Sequence, residues 1–127
     1  MHAVTKDDLL QALHGEAFAY AKYMLFSRRA TTDGHPEIAR LFEKIAEEEL
    51  SEHFREFSEL YNLVGTTEEN LRSAIDGEEH EVTTLYISFE EETRAVGDMT
   101  VANRFEEVRR DEVRHLQSCR DALRRLA

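Results

Sequence analysis

The sequence predicts an all-α protein, a four-helix bundle built from two similar helical hairpins. Apolar residues recur at helical spacing in four stretches separated by glycine-containing breaks. The 127 residues include only one Pro and five Gly, so little interrupts those stretches. The second half also repeats the pattern of the first. At this length one domain, residues 1–127, with a single core is expected.

Each helix has its own signals. Thr5 followed by Asp8 reads as an N-cap with an acid three residues on, and Leu9, Leu10, Leu13, Ala17, Tyr20 and Met24 give a first helix over about 5 to 30. Asp33-Gly34 breaks it. Pro36, tolerated in a first turn, opens the second helix with Ile38, Leu41, Phe42 and Ile45. Gly65-Thr66-Thr67 closes that helix, and Thr67 with Asn70 starts a third, whose stripe is Leu71, Ile75, Val82, Leu85 and Phe89. Gly97-Asp98 stops and caps again before Val101, Phe105, Val108, Leu116, Cys119 and Leu123.

The halves match residue by residue. Ala12-Leu13-His14-Gly15-Glu16 corresponds to Ala74-Ile75-Asp76-Gly77-Glu78. Phe42-Glu43 with Ile45, Glu49, Leu50 and Glu52 corresponds to Phe105-Glu106 with Val108, Glu112, Val113 and His115. The two offsets differ by one residue, which a change in hairpin length would explain.

Charge and composition narrow the function. A net charge of −11, with Lys and Arg interleaved among acids, argues against nucleic acid and anionic membranes as partners. No stretch approaches the ~20 apolar residues of a membrane span, and Met1 to Asp8 lacks a signal-peptide hydrophobic region, so the cytoplasm is expected. The single cysteine, Cys119, forms no Cys-x-x-Cys motif, and any metal here is held by oxygen and nitrogen.

The acids carry the chemistry. At ~100° per residue with Ile45 at zero, Glu49 lies at roughly 40° and Glu52 at roughly −20°, inside the arc of Ile38, Leu41 and Phe42. Glu78 sits in the centre of the third stripe with Glu81 on its flank. Glu112 lies between Phe105 and Leu116, His115 follows on the same side, and Glu16 flanks the first stripe. Unpaired ionised carboxylates do not stay in a core without compensating cations, and almost none of the 16 Lys and Arg falls on the stripes. Metal ions supply that charge. Carboxylates with imidazole suit iron or manganese, and Glu from two helices plus Glu-x-x-His from two others is the carboxylate-bridged di-metal arrangement of helix bundles.

At these residues the chain resembles the rubrerythrin family of ferritin-like proteins, in the single-domain form without a rubredoxin module. The resemblance spans nearly the whole chain: Gly15-Glu16 with Tyr23, Gly77-Glu78-Glu79-His80-Glu81 with Tyr86, and Glu112-Val113-Arg114-His115. It implies that Glu16, Glu49, Glu78, Glu81, Glu112 and His115 are ligands, with Glu78 and Glu112 or their partners bridging. It also implies that Tyr23 and Tyr86 donate to the carboxylates. One position departs. Where the family has the histidine of the first Glu-x-x-His, this chain has Glu52, and His53 follows. On a regular helix His53 lies at roughly 80°, the edge of the stripe. Because the repeat pairs His115 with Glu52, Glu52 is the expected ligand and His53 the displaced alternative.

The resemblance implies two iron ions, with manganese or a mixed pair as alternatives, and reduction of hydrogen peroxide or dioxygen. Without rubredoxin cysteines, electrons come from an external donor protein or from ferrous iron. Ferroxidase work coupled to iron storage or delivery is the second reading, and a non-catalytic helical interaction module the third. In ferritin-like bundles the second and third helices run parallel, but Tyr61 to Thr67 is too short to travel a helix of about 25 residues, about 37 Å. Either an up-down-up-down bundle or a domain-swapped homodimer resolves this, and the close residue match favours the swap.

Overall fold

The computed structural model describes residues Met1–Ala127, all helical and without strands, as the ferritin-like four-helix class requires. Helix α1 is Ala3–Thr32. Helix α2 is α-helical over Pro36–Glu48, π-helical over Glu49–Phe54 and α-helical again over Arg55–Tyr61. Helix α3 is α-helical over Thr67–His80, π-helical over Glu81–Leu85 and α-helical over Tyr86–Ala95. Helix α4 is Met99–Leu126. The chain divides into two compact units, Met1–Val64 and Gly65–Ala127, each a helical hairpin. No helix is long and apolar enough to cross a membrane.

Both hairpins turn the same way. Gly34 and Gly97 adopt φ of 83° and 87°, the left-handed conformation that only glycine takes without a Cβ penalty. The residue after each glycine donates its backbone N–H five residues back, His35 to Ala30 at 2.8 Å and Asp98 to Thr93 at 2.9 Å. Next to the turns, Ala39 and Ala102 are buried and let the helices approach closely. In the first unit Ser27 completes this seam, its hydroxyl donating to the Ala39 carbonyl at 3.0 Å.

The turns being alike, hairpin length is not the origin of the one-residue change in offset. Gly34 and Gly97 are 63 apart, as are Tyr23 and Tyr86, whereas Glu16 and Glu78 are 62 apart. The extra residue lies inside α3, between Glu78 and Tyr86, where the Glu81–Leu85 segment absorbs it as a π-helical turn.

Two N-caps also differ from expectation. Helix α1 starts at Ala3 without a side-chain cap, so Thr5 lies inside it. Helix α3 is capped by Thr66 rather than Thr67. The Thr66 hydroxyl accepts from the Glu69 N–H at 3.2 Å, and the Glu69 carboxylate accepts from the Thr66 N–H at 2.8 Å.

A two-helix hairpin buries only a seam. Leu13, Ala30, Ala39 and Ala46 line it in the first unit, and Val82, Ala102 and Leu116 in the second. Ile38, Leu41 and Val101, on the apolar faces of α2 and α4, are each about half exposed at 47%, 53% and 47%.

Candidate metal centre

In the first hairpin Glu16 of α1 faces Glu49 and His53 of α2. The His53 Nδ1 lies 3.4 Å from Glu16 Oε2 and 3.4 Å from Glu49 Oε1. One donor atom from each of the three side chains falls within 4.8 Å of the others, the spacing of ligands around a single ion. Glu16 Oε2 is buried and has no hydrogen-bond partner, an arrangement that costs free energy unless a cation or proton supplies the missing contact. The hydrogen bond to Glu16, burial and the Glu16 charge together hold the Glu49 carboxyl above its usual range.

The second hairpin repeats the set. His115 Nδ1 lies 3.3 Å from Glu112 Oε2 and 3.7 Å from Glu78 Oε1. The cluster Glu78, Glu112 and His115 also gathers within 4.8 Å, and here Glu78 Oε2 is the buried oxygen without a partner. Glu81 joins from the π-helical turn: burial, then its hydrogen bond to Glu112 and the Glu112 charge, raise its carboxyl pKa. Glu112 is raised as well, first by its hydrogen bond to Glu78 and then by burial.

An aromatic trio stands about two turns from each carboxylate pair. Tyr23, Phe26 and Phe42 have ring centroids 5.4 to 6.0 Å apart, and Tyr86, Phe89 and Phe105 repeat the arrangement at 5.4 to 6.0 Å. Burial and the nearby charges of Glu81, Glu112 and Glu78 push the Tyr86 phenol up. Tyr23 carries instead the Lys22 ammonium over its ring, 5.0 Å from the centroid.

The structure brings together Glu16 with Glu49, and Glu78 with Glu81, Glu112 and His115. It gathers His53, the displaced alternative, with Glu16 and Glu49 and leaves Glu52 outside that cluster, both residues being exposed. The reason is the π-helical turn Glu49–Phe54, whose i→i+5 hydrogen bonding takes one residue more than an α-helical turn. Across it, His53 at i+4 from Glu49 takes the place that His115 takes at i+3 from Glu112. The signal was in the sequence, as a Glu-x-x-x-His standing where the other half has Glu-x-x-His. His2, His14, His35 and His80 are exposed.

The donor set is all carboxylate oxygen and imidazole nitrogen, which fits iron or manganese. A family model described as Rubrerythrin matches residues 7–123. Among curated proteins, the chain is 33% identical over 123 residues to a rubrerythrin of Porphyromonas gingivalis, covering 87% of this chain and 62% of that protein. It is 34% identical over 106 residues to rubrerythrin-2 of Clostridium acetobutylicum, covering 73% and 58% respectively. Against a rubrerythrin of Nitratidesulfovibrio vulgaris the identity is 30% over 126 residues, covering 83% and 66%. The chain thus spans roughly three-fifths of the length of these relatives.

Proposed function

The chain belongs to the rubrerythrin family, which implies a di-iron centre, and on that premise we propose that it carries out redox chemistry on hydrogen peroxide or dioxygen. The observation that supports this most is the pair of matching Glu–Glu–His clusters, each with a buried carboxylate oxygen lacking a partner. Glu16, Glu49 and His53 would hold one iron ion, and Glu78, Glu112, His115 and Glu81 the other. Two iron ions so held supply a redox couple that binds and polarises an O–O bond. The protein's own contribution is to hold the carboxylates and imidazoles of each cluster in register.

The test is rapid mixing of the ferrous-loaded protein with each oxidant. Peroxidase chemistry predicts faster oxidation by hydrogen peroxide than by dioxygen. Preference for dioxygen with accumulation of iron would instead establish ferroxidase work.

We read the functional unit as a homodimer in which the first hairpin of one copy completes a four-helix unit with the second hairpin of another. Two observations support this. Only Asn62 to Thr66 separate α2 from α3, too few residues to run the length of a helix. Ile38, Leu41 and Val101 remain half exposed on faces that a bundle would cover. Co-refolding a variant lacking Glu16 and Glu49 with one lacking Glu78 and Glu112 restores an intact metal site if the chains swap, and restores none if they do not.

A further inference from the structure

Each π-helical turn releases a backbone carbonyl. In α3 the Tyr86 N–H bonds the Glu81 carbonyl five residues back, and so is not available to the Val82 carbonyl that it would meet in a regular α-helix. In α2 the Arg55 N–H bonds the carbonyls of Glu52 and Leu50, passing over that of Ser51. A carbonyl left without a donor in a packed hairpin is costly.

An arginine takes up each one. Arg109 of α4 reaches across the second hairpin and donates from Nε to the Val82 carbonyl at 2.8 Å, a part-buried bond to a buried residue. Arg55 reaches back along its own helix and donates from Nε to the Ser51 carbonyl, also at 2.8 Å, but in an exposed position. Arg109 forms no ion pair within 4.0 Å despite the acidity of the chain, so its guanidinium is committed to the backbone, whereas Arg55 also pairs with Glu59. The internal repeat singles out Arg109. Its counterpart 63 residues earlier is Ala46, fully buried in the first hairpin, where the facing helix α1 is regular and has no carbonyl to satisfy.

We propose that Arg109, and more weakly Arg55, are positioning residues that pin the π-helical turns and thereby hold Glu81 and His53 at the metal clusters. Glu81 is the first residue of the α3 turn and His53 lies within the α2 turn. If the Val82 carbonyl lost its donor, the turn would relax toward α-helical bonding by migrating along α3, and Glu81 would rotate away from Glu78 and Glu112. The bearing on metal rests on the di-metal reading above; the bearing on the backbone does not.

The experiment compares the intact chain with Arg109→Met, Arg109→Lys and Arg55→Met. Met keeps the length and apolar contact of the Arg109 stem without its donors, and Lys keeps a charged donor. In the metal-free protein, hydrogen exchange at the amides of residues 81–86 should quicken about tenfold or more in Arg109→Met. With ferrous iron, or cobalt(II) as an optical probe, one of two ions should bind roughly ten- to a hundredfold more weakly, the usual loss when support behind a ligand is removed. Arg109→Lys should recover part of both, and Arg55→Met should show a smaller change confined to residues 49–55. An Arg109→Met protein that matches the intact chain in both exchange and metal affinity overturns the proposal. If the intact chain itself binds no metal, the di-metal reading fails, and exchange alone decides whether Arg109 pins the turn.

Discussion

The two hairpins hold the same constellation with different backbones. Both carry Glu–Glu–His within 4.8 Å, both carry a Tyr–Phe–Phe trio, and both end their first helix on a left-handed glycine. The π-helical turn, however, falls in the second helix of the first hairpin and in the first helix of the second. In one it brings a histidine to the cluster; in the other it adds Glu81. The difference teaches that helix geometry bends to keep each carboxylate–imidazole cluster together. An extra residue next to a cluster member is absorbed as a wider turn, and the register of the cluster survives on both sides of it.

Removing a shared carboxylate should break the likeness most severely. Glu49→Ala and Glu112→Ala are each expected to abolish binding of at least one ion, measured by metal analysis after ferrous loading. Unchanged metal content in both would remove the assignment. The histidines come next. His53→Ala and His115→Ala should each weaken metal binding by roughly tenfold or more, while Glu52→Ala stays close to the unmodified chain. Deleting Glu52 sharpens this further, because it converts Glu49-x-x-x-His53 into the Glu-x-x-His of α4. Metal binding should be retained, with the π-helical turn replaced by regular helix; loss of the metal would show that Glu52 is needed after all.

Acid should stabilise the metal-free chain. A carboxyl whose pKa is raised by folding contributes its full stability below its ordinary value of 4.5 and loses that contribution as pH rises through the raised value. Glu49, Glu81 and Glu112 are all raised, so the thermal midpoint of metal-free protein should climb as pH falls from neutral toward 4.5. Two of the three lie in the second hairpin, and Glu81→Gln with Glu112→Gln should flatten the dependence more than Glu49→Gln does. A flat profile in the unmodified chain would contradict the pairing. The smallest effect separates the helix starts: Thr66→Ala should cost about 1 kcal/mol through loss of the capping box, and Thr5→Ala close to nothing, in chemical denaturation.

Much of this was legible in the sequence. The helices follow from apolar spacing, and the turns from Asp33-Gly34 and Gly97-Asp98. Glu16, Glu49, Glu78, Glu112 and His115 stood out as ionisable residues on apolar faces, and the structure gathers them into the two clusters. What the sequence hid was local hydrogen bonding. A wheel drawn at one fixed angle per residue goes out of phase at the first π-helical turn, so His53 read as marginal and Glu52 as central. The same assumption turned an insertion inside α3 into a change of hairpin length. Arg109 and Arg55 were invisible for a related reason, since their acceptors are backbone carbonyls that carry no residue identity. At the cap of α3, Thr66 and Thr67 are chemically alike, and only the reach of Glu69 decides between them.

The most direct test of the central account is the iron content of the intact chain after anaerobic ferrous loading and removal of loose metal, read with the optical spectrum on oxidation. The account predicts about two iron ions per chain and the absorption of a carboxylate-bridged diferric pair. One ion or none per chain, or an oxidised spectrum of isolated ferric ions, would contradict it.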